Sequence, residues 1–154
     1  MAAAGRNGSD APPGRGDRSL QRFVAAQSTV YEQALHELQR GEKTGHWMWF
    51  IFPQIAGLGS SSMAHRYAIA DLDEARRYLD HPLLGARLIE CTRLVNGHAD
   101  KPLDNILPYP DNLKFRSSMT LFARTPGADP AFAEALRLFC AGEADPATLG
   151  KLAI

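Results

Sequence analysis

His46-Trp47-Met48-Trp49-Phe50-Ile51-Phe52-Pro53-Gln54, residues 46–54, is the stretch on which the fold turns. Read as a strand, it sets Trp47, Trp49 and Ile51 on one side and Met48, Phe50 and Phe52 on the other. Read as a helix, it groups Trp47, Phe50, Ile51 and Gln54. Both faces are apolar in either case, which predicts a central, buried element ended by Pro53. Almost no alternating strand pattern surrounds it, so the segment is read as a short helix.

Upstream, Ser19 is placed to N-cap a helix whose Leu20, Phe23, Val24, Val30, Tyr31, Ala34, Leu35 and Leu38 follow three-four spacing, with Gly41 as its stop. Gln27 falls within that apolar stripe and is expected at its edge. Downstream, residues 62–70 read as one short helix. Asp71 opens the next, with Glu74 completing a capping box. His81-Pro82 is read as a further start, with Pro82 at the first helical position, and Asn96-Gly97 as the end. Pro108-Tyr109-Pro110 breaks the chain before a helix from about Asp111 to Ala123. Asp129-Pro130 and Asp145-Pro146 are two more cap-plus-proline starts. Short helices joined by Pro and Gly breaks predict an all-α fold. The expected form is a compact multi-helical single domain with buried central helices, over residues 19–154. Residues 1–18 carry no large apolar residue after Met1 and are expected to be a disordered tail.

The chain of 154 residues is 45% hydrophobic and 22% charged, values suited to one globular domain. Seventeen basic residues balance seventeen acidic ones, so no overall field favours nucleic acid or an anionic membrane. No apolar run approaches the roughly 18 residues of a membrane span, and residues 1–19 lack the apolar block of a secretory signal. Cys91 and Cys140 stand apart in helical patterns and read as buried residues in a reducing cytoplasm. They form no metal-ligand spacing with each other or with the histidines, so neither a metal nor a bound cofactor is implied.

Three groups could carry chemistry. Asp111, Lys114 and Ser118 fall at i, i+3 and i+7, with Ser117 beside them. A carboxylate, an ammonium and a hydroxyl on one helix stripe could bind a phosphorylated or ribosylated ligand, or perform acid-base work if burial moved their pKa values. The bland alternative is a cap, a surface ion pair and small residues that allow close packing. His46, Trp47 and Trp49 form the second group. Indoles stack on flat rings, His46 could act as a general base, and Gln54 at the segment's end needs partners for its amide. Core packing explains the same aromatics equally simply. The third group is the loop at residues 57–62, where Gly57 and Gly59 bare backbone N–H groups and Ser60 and Ser61 supply hydroxyls before a helix. It suits a phosphate, or merely a helix cap.

HWMWFIFPQ, followed by GLGSSS at residues 57–62, YAI at 67–69, YLDHPLLGARL at 78–88 and KFRSSMTLF at 114–122, resembles a bacterial and fungal family, domain of unknown function 1810. Several blocks in the right order, from Leu20 to Phe122, make the likeness specific. It implies a compact multi-helical fold with buried central helices, and no accepted catalytic residues. Members are often labelled calpastatin, yet a calpastatin-type inhibitor resembles a long, disordered, repeat-bearing chain, which this is not. Members often carry glycine shortly before the aspartate equated with Asp111, where this chain has the stiffer Pro108-Tyr109-Pro110.

Two functions follow as expectations. One is a pocket for a nucleotide-type ligand resembling ADP-ribose or NAD, with N-glycosidic hydrolysis as its possible reaction. Asp111 would activate water and Lys114 would assist, as the catalytic pair. The other is a non-catalytic protein-interaction domain with an aromatic groove.

Overall fold

The computed structural model describes residues 15–153, and the helices among them run in the order α1 (Arg15–Arg40), α2 (Met48–Ile51), α3 (Ser62–Arg66), α4 (Leu72–Asp80), α5 (Leu84–Asn96), α6 (Leu103–Ile106), α7 (Asp111–Ala123), α8 (Pro130–Phe139) and α9 (Pro146–Leu152). The fold is all-α, and the only extended pairing among the described residues is an isolated parallel bridge between Ile55 and Ile69.

Helix α1 begins four residues ahead of Ser19, so it takes in positions 15–18 that were expected in the tail. Residues 1–14 lie outside the described residues. Extension by one turn costs little once the Leu20–Leu38 stripe has anchored the helix. Gly41 stops it with φ of 82°, while Glu42 N–H donates to the Glu37 carbonyl across the αL residue. Asp71, Asp129 and Asp145 each cap their helices through the side chain.

Helix α7 is the central element. From Ser117 to Phe122 every residue is buried, which a helix tolerates only when neighbours surround it. It packs on α4, α6, α8 and α9, while α5 packs on α1, α2, α4 and α8. The hydroxyls along α7 are accommodated inside by back-bonding: Thr120 donates to the Arg116 carbonyl at 2.8 Å and Ser117 reaches that of Leu113 at 3.2 Å. Aromatic rings weld the layers, with Tyr78 and Phe132 both against Phe122 and with Phe52 edge-on to Phe115.

Four expectations need correction. The helix expected over 62–70 ends at Arg66, because the chain must extend again for Ile69 to pair with Ile55. The helix expected from Pro82 starts at Leu84. The His81 ring takes the Leu83 and Leu84 N–H groups at 3.1 and 3.2 Å and so displaces the start. Gln27 is buried instead of lying at an edge. Its amide donates to the Phe50 carbonyl at 2.7 Å and to the Tyr78 hydroxyl at 3.2 Å, and accepts from Arg87 at 3.3 Å. Cys140 is only half-buried, whereas Cys91 is sealed and burial pushes its thiol up to about 12.

Candidate functional site

The site begins with a buried carboxylate. Glu37, near the end of α1, accepts from Thr44 N–H (2.8 Å), Gly45 N–H (2.9 Å), the Trp47 indole N–H (3.0 Å), the Thr44 hydroxyl (3.1 Å) and Gln33 (2.8 Å). Burial alone would raise its pKa. The donors from Gly45, Gln33, Thr44 and Trp47 outweigh that and hold it at about 2. The loop before α2 is therefore wrapped on a fixed anion, and the short helix is delivered in one orientation. Trp47 is 1% exposed and belongs to the core, whereas Trp49, two residues on, is half-buried and faces outward.

A second string of contacts fixes α7 beside it. Lys43, itself buried, places its ammonium 2.7 Å from Asp111, 2.5 Å from the Gly45 carbonyl and 5.0 Å above the Trp47 ring. The other oxygen of Asp111 lies 3.9 Å from the Lys114 ammonium, which sits 4.7 Å above the Trp49 ring. One carboxylate thus stands between two lysines, each resting on a tryptophan. The Gly/Ser loop is closed at its base by the Ile55–Ile69 bridge, and by Arg22, which donates to the carbonyls of Arg66 and Ala68, both at 2.6 Å.

These devices frame an open cleft of about 460 Å³. Trp49 and Gln54 line it from the aromatic segment; Leu58, Gly59, Ser60, Ser61 and Ala64 from the loop and α3; Pro110, Leu113, Lys114 and Ser117 from α7 and its entry; Asp145 and Ala147 from the start of α9. Asp145 Oδ2 accepts from Ser117 at 2.9 Å, from Thr148 N–H at 3.1 Å and from the Thr148 hydroxyl at 2.6 Å. Burial pushes this carboxyl up, but those donors and Arg116 prevail and hold it below the usual carboxylate range.

The three sequence groups therefore converge, though not every member does. Trp49, Gln54, Gly59, Ser60, Ser61, Lys114 and Ser117 reach the cleft. His46 is exposed outside its lining, and Trp47 is sealed behind it. Gly57 packs near the Lys151 side chain instead of the cleft. Ser118 points into the core, fully buried, and its hydroxyl finds no hydrogen-bond partner among the described residues. Asp111 lies behind the lining and supports Lys114. Leu58 belongs to the 57–62 loop already singled out, whereas Leu113 and Asp145 were not among the sequence candidates, and only Asp145 left a signal there, as a cap before proline. No group of three or more His, Cys, Asp or Glu side chains among the described residues is placed to hold a metal ion. No helix among them is long and apolar enough to cross a membrane.

A family model described as "Protein of unknown function (DUF1810)" matches residues 17–152. The crystal structure of the conserved hypothetical protein Rv1873 from Mycobacterium tuberculosis is similar, with a TM-score of 0.87 and 50% sequence identity. The likeness covers 88% of this chain and 97% of that one. No curated protein matches the chain.

Proposed function

The chain belongs to the DUF1810 family, and from that premise we propose that the cleft beside Trp49 binds a small ligand of the nucleotide type, a flat ring joined to an anionic group. The carrying observation is the pairing of ring and cation: Trp49 lies in the cleft wall with the Lys114 ammonium 4.7 Å from its centroid. An indole offers a stacking surface, and the ammonium held above it offers a counter-charge to phosphate. The hydroxyls of Ser60 and Ser61 line the same space, and the Gln54 side chain, without a hydrogen-bond partner among the described residues, can read a base edge. The volume falls within the range of small-molecule sites, about 300–1,000 Å³.

Binding is favoured over N-glycosidic hydrolysis. A general base must take a proton from water, and Asp145, the carboxylate in the cleft, is held below the usual range by donors already in place. Asp111 is engaged by Lys43 at 2.7 Å.

A melting screen of the full chain against nucleosides, nucleoside mono- and diphosphates, NAD and ADP-ribose tests the reading. A ligand present at 100 times its dissociation constant should stabilise the fold by about 2.7 kcal/mol, a rise of several degrees. Trp49→Ala and Lys114→Ala should each remove that rise. A flat response across the whole panel would sink the proposal.

A second reading, protein docking, is supported by Tyr109 and Leu113, large apolar side chains 75% and 50% exposed. Leu113 lines the cleft, and Tyr109 adjoins the lining residue Pro110. Under that reading a partner protein is lost on Tyr109→Ala with Leu113→Asp, and no nucleotide competes for it.

A further inference from the structure

We infer that the Trp49 cleft accepts a ribonucleoside carrying at most one phosphate, with Asp145 setting that limit; this rests on the nucleotide-type reading above. Among the lining residues two carry a formal charge, Lys114 and Asp145, one of each sign. The single cation is already shared, because its ammonium stands 3.9 Å from Asp111. A diphosphate would therefore bring a second negative group into a cleft whose lining holds no further cation and one carboxylate. A monophosphate can pair with Lys114 and leave Asp145 to other work.

That work is written in its hydrogen bonds. Ser117 and Thr148, 7% and 0% exposed, both direct their bonds to Oδ2 of Asp145. Capping of α9 is thus complete through one oxygen, and Oδ1 takes none of these bonds. A carboxylate fixed from behind, with one oxygen to spare, is what ribose hydroxyls require, as in dinucleotide sites where an acidic residue holds the 2′-hydroxyl. The ring on Trp49, the phosphate at Lys114 and the sugar at Asp145 would then each have a wall of the same cleft.

Calorimetric titration of the full chain tests this, at low ionic strength and without divalent cations. The ligands are the mono- and diphosphates of adenosine, guanosine, cytidine and uridine, with the 2′-deoxy monophosphates. For whichever base binds best, the monophosphate should bind about tenfold or more tighter than both the diphosphate and the deoxy form. Asp145→Asn keeps a capping oxygen for Thr148, so the fold should persist while both preferences shrink toward unity. A wild-type protein that binds diphosphate or deoxy ligand as tightly as the ribonucleoside monophosphate overturns the inference, whatever the variant does. So does a folded Asp145→Asn with both preferences intact. Nucleotide binding without these preferences leaves the broader reading standing and removes only this one, whereas failure of every nucleotide to bind removes both.

Discussion

Glu37 shows how much one residue can carry. It is 3% exposed, and its carboxylate collects donors from Thr44, Gly45 and Trp47 ahead of α2 as well as from Gln33 of α1 itself. A folded-state pKa of about 2 against an ordinary 4.5 corresponds to roughly 3 kcal/mol of stability. The sign follows from the depression: the contribution is complete above about pH 4.5 and is lost as pH falls from there through about 2. Glu37→Gln should therefore destabilise the protein by about 3 kcal/mol at pH 7 and flatten the fall in stability across that acid window. Urea midpoints measured between pH 7 and pH 2.5 check both parts, and a variant with the wild-type acid slope would show that Glu37 is not the source. The same residue explains a limit of sequence reading. Trp47 and Trp49 look alike in the chain, and what separates them, an anion ten positions earlier that captures one indole, is a tertiary fact.

At the scale of elements, the first turn of α5 admits no side chain where it meets the end of α4. A Cβ on Gly85 would lie 2.0 Å from the Leu79 carbonyl oxygen, a backbone atom that cannot step aside. Gly85→Ala should cost about 3 kcal/mol. Gly150, inside α9 with open space around it, offers the converse: Gly150→Ala should leave stability unchanged or raise it by about 0.5–1 kcal/mol. Paired thermal melts decide; equal melting temperatures for the two variants would contradict the geometry. Elements set by local chemistry were legible beforehand. Asp129-Pro130 and Asp145-Pro146 carry cap and starter side by side, and α7 runs from Asp111 to Ala123 as its spacing implied. Elements set by distant partners were not. Helix α6 has four residues and is pinned from outside, where Lys43 N–H meets the Ile106 carbonyl at 2.8 Å. The early end of α3 likewise answers to Ile55.

For the whole molecule, one apolar cluster draws on residues from α1, α2, α4, α5, α6, α7 and α8, with Trp47, Tyr78 and Phe122 among its largest buried members. A core shared so widely should unfold as a unit. Far-ultraviolet and near-ultraviolet circular dichroism are expected to give coincident urea transitions; a separate early loss of the near-ultraviolet signal would mark the cleft side as an independent unit. The convergence of the aromatic segment, the Gly/Ser loop and α7 on one cleft was foreshadowed in the sequence as three separate candidates. Their meeting was not, because it depends on the Ile55–Ile69 bridge and the Lys43–Asp111 pair, each joining segments far apart along the chain.

The unequal fates of the two indoles have a practical outcome. Trp47 is sealed and bonded to a carboxylate, so its emission should be blue-shifted and indifferent to iodide; Trp49, half open beneath an ammonium, should emit further to the red and be quenched. The protein is thus supplied with an internal optical gauge and its own built-in reference, and occupancy of the cleft can be followed by light without attaching any label.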